Sequence, residues 1–394
     1  VRVLRGLYLD FGTIDIPGYA NKIYGQVDAF CKNGIGMDII SLHHNGTVTL
    51  RKPPVRKDDN AIVLRRFRRN FWNNRVQFFT AALEFIANEK PEVLYIRLQI
   101  GSTDFIFLRF LHTLRKVSIQ TIVFYDIPTF PYDLDMRDAP RRRIRLEVDR
   151  FCRQFLKNYI DRIIAVDYDE KIFGVKTLSI QNGVDVDAYP ATSNSNIFIK
   201  PLKLIGVAHL RGYHGYDRII TAIHRQLNSN NKNIDIEFHI VGSSTIELSK
   251  IMDEVNRKGL TNYVVFHGQK VGADLDFIFN KCHIGVGTLA WHRVNVSQAS
   301  TLKSREYMAR GIPFIYAAKD QGIPQNYPYA YQVPSNDEPL NFQDIFNFTE
   351  KCFSTPQIGT HMREYAKNNF SWSAVMNPIL TEIEKIATIR NISK

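Results

Sequence analysis

Cysteine is scarce. Cys31, Cys152, Cys282 and Cys352 are spread along 394 residues with no Cys-x-x-Cys pair and no metal-ligand spacing, which excludes a disulfide scaffold or a zinc ribbon. Four free, mostly buried thiols are expected, as suits a reducing cytoplasm. Long apolar runs are absent: no stretch approaches the roughly 18 uncharged apolar residues of a membrane span. The opening VRVLRGLYLDFGTIDIPGY carries Asp10 and Asp15 where an export leader needs unbroken apolar sequence, so it reads as a first strand and the expected location is cytoplasmic. No Gly-x-Gly-x-x-Gly follows that strand, and no phosphate-loop signature occurs anywhere, which sets aside NAD-dependent enzymes and P-loop ATPases. Acidic pairs at strand ends are also missing. Asp133–Asp135 and Asp167–Asp169 fall in helical or loop contexts, Asp185–Asp187 closes a turn, and His43, His44 and His267 are isolated, so no metal is expected.

What is present is an ordinary globular composition, 44% hydrophobic and 23% charged, long enough for two domains or three. Disorder, collagen and coiled coil are excluded. The charge is unbalanced, with 51 Lys and Arg against 39 Asp and Glu, a formal net of +12. Such a balance points to nucleic acid, anionic membrane or phosphorylated ligands. One basic cluster runs from Arg51 to Arg75, with Arg65, Arg66, Arg68 and Arg69 around Phe67, Phe71 and Trp72. A second runs from Arg137 to Arg162, headed by Arg141, Arg142, Arg143 and Arg145. Each reads either as a solvated helix face or as a binding surface.

Short apolar runs alternate with amphipathic stretches throughout. Strands are expected at Val1–Leu9, Met37–Leu42, Val93–Leu98, Thr121–Tyr125, Arg162–Val166 and Thr177–Ile180. After Pro201 the rhythm restarts at Lys203–Val207, Ile234–Val241, Tyr263–Phe266, His283–Val286 and Pro313–Tyr316. Helical patterns between them, such as Tyr19–Cys31, Val76–Ala87, Phe105–Lys116, Tyr216–Leu227 and Thr245–Lys258, imply βαβ units and parallel sheets. The expected organisation is a doubly wound α/β domain over 1–187 and a linker over 188–200. A second such domain covers 201–370, and over 371–394 a helix carrying Trp372 returns to the first. Ligands in such sheets bind at the carboxyl ends of strands, here in a cleft between the two domains.

The densest chemistry lies in STLKSREYMARGIP, Ser300 to Pro313. It reads as a helix from Leu302 that stops at Gly311, with Pro313 beyond. A helix N-terminus offers free N–H groups and partial positive charge to a diphosphate, and Lys303 and Ser304 sit in that first turn. Glu306 can accept hydrogen bonds from ribose hydroxyls. Equally, it can serve only to offset Lys303, Arg305 and the helix dipole.

This block resembles the glutamate–small residue–glycine–proline block of retaining GT-B glycosyltransferases of family four. IQNGVD (Ile180–Asp185) resembles that family's turn ahead of the interdomain linker, and LIGVAHLRGYHGYDRII (Leu204–Ile220) its first nucleotide-domain strand–loop–helix. HIVGSS with VVFHGQ resembles the later strand ends around the base. DIPTFPYD together with LKSREY resembles the branch used in capsule and exopolysaccharide assembly. The resemblance implies two Rossmann-like domains facing across a cleft, a nucleotide-sugar donor as substrate without metal, and a saccharide or lipid-linked saccharide acceptor. It implies donor-binding roles for Gly18, His209, Arg211, His214, Gly242, His267, Ser304 and Glu306. Asp126, Lys303 and Glu306 are the candidates at the reacting centre, Asp126 lying where the family frequently has a histidine; its alternative reading is a cap ahead of Pro128. The family's usual arginine and lysine phosphate pair corresponds here to His209 and His214 with Arg211 between. Its first glutamate corresponds to Gln298, for which His292 and Arg293 are candidate replacements or simple loop residues.

Two rival readings stand beside this one. A nucleotide-sugar epimerase of the same fold would need no basic first domain. A non-catalytic nucleic-acid-binding module would need a recognisable motif, and none is present, so nucleic acid is not an expected partner. In Arg141–Ile160, apolar Ile144, Val148, Phe151, Phe155 and Tyr159 form one helical stripe beside Arg141, Arg142, Arg143, Arg145, Arg150, Arg153 and Lys157. Basic residues at a helix start oppose the dipole, so these point to an anionic membrane surface near the acceptor site. The plain alternative is a stripe packed into the domain under solvated arginines.

Overall fold

The computed structural model describes residues 4–53, 61–67, 71–133, 136–137, 140–166, 170–192, 198–229, 235–243 and 246–391. The chain forms two compact units, Val1–Gly183 with Trp372–Lys394, and Val184–Ser371.

The first unit runs β1 (Leu4–Phe11), α1 (Pro17–Lys32), β2 (Ile35–Leu42), β3 (Thr47–Arg51), β4 (Ile62–Arg66), α2 (Phe71–Glu89), β5 (Val93–Arg97), α3 (Phe105–Val117), β6 (Ile122–Asp126), α4 (Pro140–Cys152), β7 (Arg162–Val166) and β8 (Thr177–Ile180). Its sheet has the order β4-β3-β2-β1-β5-β6-β7-β8. Strands β5 and β6 are buried at every position, as a parallel strand covered on both faces must be. β3 and β4 pair antiparallel beyond β2. On sequence this region reads as a basic cluster, because Ile62, Val63 and Leu64 lie in an exposed strand next to Arg65 and Arg66. The cluster's Arg68 and Arg69 fall outside the described residues.

The second unit runs β9 (Leu202–Val207), α5 (Tyr216–Leu227), β10 (Ile236–Val241), α6 (Ile246–Arg257), β11 (Val264–Gly268), α7 (Ala273–Phe279), β12 (Ile284–Val286), α8 (Leu302–Arg310), β13 (Phe314–Tyr316), β14 (Ala330–Gln332), α9 (Phe342–Phe353) and α10 (Ile358–Phe370). All its strand pairs are parallel, in the order β11-β10-β9-β12-β13-β14. The strand order reverses between β9 and β12, the switch point of a doubly wound sheet. Among the described residues one apolar core packs α2 and α3 on the first sheet, and another packs α5, α6 and α9 on the second.

The last helix, α11 (Trp372–Ile389), belongs to the first unit. Trp372 explains two glycines: a Cβ on Gly25 would meet its ring at 2.1 Å and one on Gly183 at 2.6 Å. The glycine of the IQNGVD block is therefore required by close packing on Trp372. The division between units falls at Gly183, earlier than the 187 read from sequence. The next stretch of chain packs on the second unit: Thr192 N–H donates to the Arg310 carbonyl at 2.8 Å. Residues 193–197 of the expected linker lie outside the described residues.

Candidate functional site

In the second unit the loops leaving β9 and β12 are locked together at the switch point. Leu289 N–H donates to the His214 carbonyl and Ala290 N–H to that of Tyr213, both at 3.0 Å. The Tyr213 ring stacks on Trp291 at 4.8 Å and 6°. Gly215 makes this approach possible: its φ is +68°, and a Cβ there would sit 2.9 Å from the Ala290 Cβ. Arg293 completes the brace, donating to the Gly212 carbonyl at 2.7 Å and to Asp217 and Asp337.

Beside these loops α8 begins. Thr301 caps it, its Oγ1 accepting from Ser304 N–H at 3.2 Å and lying 2.8 Å from Ser304 Oγ, so the Ser304 hydroxyl is engaged in building the helix end. Lys303 differs. Its Nζ is buried without a hydrogen-bond partner among the described residues, and it lies 5.6 Å from the centre of the Tyr216 ring. Burial pulls its pKa down to about 7, against the opposing pull of Glu306. His214 is the neighbour that feels it. Burial and then the Lys303 charge push this imidazole down to about 2, so it is neutral. Its Nδ1 accepts from Arg211 N–H at 2.9 Å, which leaves the hydrogen on Nε2.

The structure thus brings Lys303 and His214 together, with Ser304 and Glu306 on the same helix. Glu306 Oε1 accepts from Arg310 at 2.8 Å, and Arg310 also reaches Asp276 at 2.7 Å; the charge Glu306 offsets by direct contact is that of Arg310. His209 and Arg211 are exposed in the loop after β9, with His209 Nδ1 2.5 Å from Ser243 Oγ.

Other candidates sit apart from this group. Gly242 is dictated by backbone packing, since a Cβ there would meet the Ala208 carbonyl at 1.9 Å. His267 stacks on His239, Nε2 to Nδ1 at 2.8 Å, and lines a cavity of about 410 Å³ with Lys203, Glu237 and Lys281. His292 and Arg293 both hold Asp337, at 3.0 and 2.7 Å, so their polar atoms are bracing the loop, apart from the buried, unpartnered His292 Nδ1. Gln298 is exposed and accepts from Gln321 at 2.7 Å.

The first unit has a buried polar row at the same topological place, the carboxyl ends of β1, β5 and β6. Sheet register aligns Asp10, Arg97 and Asp126 side by side. Asp126 Oδ2 accepts from Arg97 at 2.6 Å and from the Tyr95 hydroxyl at 3.0 Å, and it is 1% exposed. Burial opposes its ionisation, but Arg97, Lys22 and these hydrogen bonds outweigh it and hold the carboxyl below its usual range. Asp126 is therefore a buried ion-pair partner of Arg97. Lys22, on α1, donates to Asn182 of the IQNGVD block at 2.9 Å, and burial and the Arg97 charge bring it down to about 8. Sequence reading misses Arg97 and Asp10 because Arg97 lies inside the apolar run Val93–Leu98, Asp10 directly follows Val1–Leu9, and neither belongs to a motif. Gly18 is exposed with nothing within 4 Å of a would-be Cβ, so no close approach requires glycine there.

Among the arginines heading α4, Arg145 is a brace. It donates to the carbonyls of Gly101 and Ile100 at 2.7 and 2.9 Å. Arg141 and Arg143 are exposed, and Arg142 lies against the Met136 sulfur. Of the acidic pairs, Asp135, Asp167 and Asp169 lie outside the described residues. None of the four cysteines is in a disulfide; Cys152, Cys282 and Cys352 are buried. No helix among the described residues is long and apolar enough to cross a membrane.

No family model matches the sequence, and no curated protein does. Solved structures do. Sucrose-phosphate synthase from Thermosynechococcus elongatus superposes with a TM-score of 0.66 at 13% identity, over 98% of this chain and 100% of that one. A glycosyltransferase from Rickettsia africae gives 0.64 at 12% identity, over 98% and 99%. Anabaena HepE in complex with UDP gives 0.60 at 13% identity, over 97% and 100%. Identity at this level speaks for architecture: two parallel-sheet α/β domains in one chain, the GT-B fold of these glycosyltransferases.

Proposed function

We propose that this chain transfers a hexose-type sugar from a nucleotide-sugar donor to a saccharide or lipid-linked saccharide, with retention of anomeric configuration and without a metal, in surface polysaccharide assembly. The observation that carries the reading is Lys303: a buried ammonium with no partner among the described residues, beside a neutral His214, at a helix N-terminus next to a switch point. An ammonium held out of water without a hydrogen-bond partner is suited to receive an anion. A diphosphate fits, since the helix N–H groups, Lys303, the His214 Nε2–H and the exposed Arg211 guanidinium would share its oxygens. In the reaction the bond from the sugar's anomeric carbon to the diphosphate breaks and the acceptor oxygen bonds to that carbon. The negative charge that grows on the diphosphate is what these groups neutralise. Glu306 takes the ribose hydroxyls. The UDP held by HepE supports a nucleotide-sugar donor of this kind.

The experiment is turnover of radiolabelled nucleotide sugars by wild type and Glu306→Gln. Wild type should release nucleotide from one donor, and the variant's donor KM should rise by about tenfold or more, the loss of a charge-assisted hydrogen bond. Stability should stay near wild type, because Arg310 keeps Asp276. Unchanged kinetics would remove Glu306 from the site, and no turnover of any donor would defeat the reading. Activity should also survive EDTA; loss on chelation, restored by manganese or magnesium, would overturn the metal-independent mechanism.

A further inference from the structure

The helical stripe at the second basic cluster faces outward. On α4 and the 3-10 turn that continues it (Arg153–Asn158), Leu146, Asp149 and Cys152 are buried, whereas Ile144 is 69% exposed, Phe151 53% and Phe155 41%. Phe105, which opens α3, adds a ring at 61% exposure. These rings touch one another: Phe105 to Phe151 at 5.9 Å, and Phe151 to Phe155 at 5.6 Å. Three exposed rings therefore share one water-facing patch, and exposed Ile144 lies two helical turns before Phe151 on the same face, where a soluble surface usually scatters such side chains singly.

Around the patch the uncompensated charge is positive. Arg150 and Arg153 both pair with Asp133, at 2.9 and 2.8 Å, and Arg150 pairs also with Glu147, so two carboxylates offset the two arginines. Arg141, Arg143 and Lys157 are exposed on the same segment, and Arg109 and Lys116 follow Phe105 at helical spacing along α3. None of the five is ion-paired with another described residue. The exposed carboxylate on α4, Glu147, is held by Arg150 at 2.9 Å.

We infer that this face docks on an anionic lipid surface, with the side chains of Phe105, Ile144, Phe151 and Phe155 entering the headgroup–acyl boundary and the arginines and lysines meeting the headgroups. Aromatic and aliphatic groups in a basic rim are what an interfacial site presents. A second copy of the chain fits poorly, because self-pairing would set Arg141, Arg143 and Lys157 against like charge. Nucleic acid fits poorly as well. Phe151 and Phe155 meet edge-to-face at 62°, covering each other instead of offering flat faces to bases. The inference does not depend on the transferase reading.

The test is co-sedimentation of the full chain with vesicles of phosphatidylcholine alone or with phosphatidylglycerol. At low salt the protein should bind the anionic vesicles at least about tenfold more strongly, and added salt should weaken this. Phe151→Ser/Phe155→Ser and Arg141→Ser/Arg143→Ser should each cost about tenfold without lowering Tm, since all four residues are exposed. In Phe151→Trp, indole emission should shift to the blue on anionic vesicles and be quenched by brominated acyl chains. Equal binding to both vesicle types, indole emission from Phe151→Trp that is indifferent to lipid, a dimer abolished by the phenylalanine variant, or tighter binding to single-stranded RNA would each overturn the assignment.

Discussion

Replacing Lys303 by Met should move two properties in opposite directions. Affinity for the nucleoside diphosphate should fall by about 10- to 150-fold, the roughly 1.5–3 kcal/mol of a hydrogen bond to a charged group. The ligand-free protein should become more stable, because the variant removes a buried ammonium that has no partner among the described residues. The pH dependence separates this from a packing effect. Lys303 titrates near 7 in the fold and well above that when unfolded, so the unfolded chain binds more protons between those values. Stability should therefore rise with pH from about 7 toward 10.4, and the ligand, which favours the charged ammonium, should bind more weakly over the same range. Both slopes should flatten in Lys303→Met. Calorimetric binding and unfolding across pH check the point; a variant that binds as tightly as wild type would discard the role given to Lys303.

The second large effect belongs to the first unit. Arg97→Met should destabilise it by about 3–5 kcal/mol, because it strands the Asp126 carboxylate in a sealed site. The double variant Arg97→Met/Asp126→Leu should recover part of that loss, since the stranded carboxylate is removed together with its partner. Denaturant unfolding followed on the first unit's transition measures both. Non-recovery in the double variant would mean that Arg97 holds the sheet ends through more than Asp126. Asp126 itself, held ionised below its usual range, contributes stability above its unfolded pKa that is lost as pH falls through the folded value.

The fold was legible because parallel strands announce themselves. VLYIR and IVFYD are apolar runs bounded by polar residues, and their buried positions match that pattern. The antiparallel β3–β4 pair was not legible, since in β4 the apolar Ile62, Val63 and Leu64 run straight into Arg65 and Arg66 and all three face water. At the site, the helix read from Leu302 to Gly311 placed Lys303 at an N-terminus, but spacing could not say that its ammonium is buried and without a hydrogen-bond partner among the described residues. That depends on Tyr216, far away in sequence. Arg97 and Asp10 escape notice for a similar reason. Their meaning comes from sheet register, which sets them beside Asp126, and nothing local marks them. The α4 stripe was visible but its direction was not, because periodicity identifies a face without saying whether protein or solvent covers it.

The most direct measurement is thermal unfolding of the full chain against a panel of nucleoside diphosphates and their sugar conjugates. A specific ligand at 100 times its dissociation constant adds about 2.7 kcal/mol to stability. One base should raise Tm, its sugar conjugate should do so too, and Lys303→Met should lose the shift while starting from a higher ligand-free Tm. A flat response to every nucleotide, with the unfolding of wild type itself intact, would contradict the assignment of the α8 N-terminus as a diphosphate site and with it the proposed transfer.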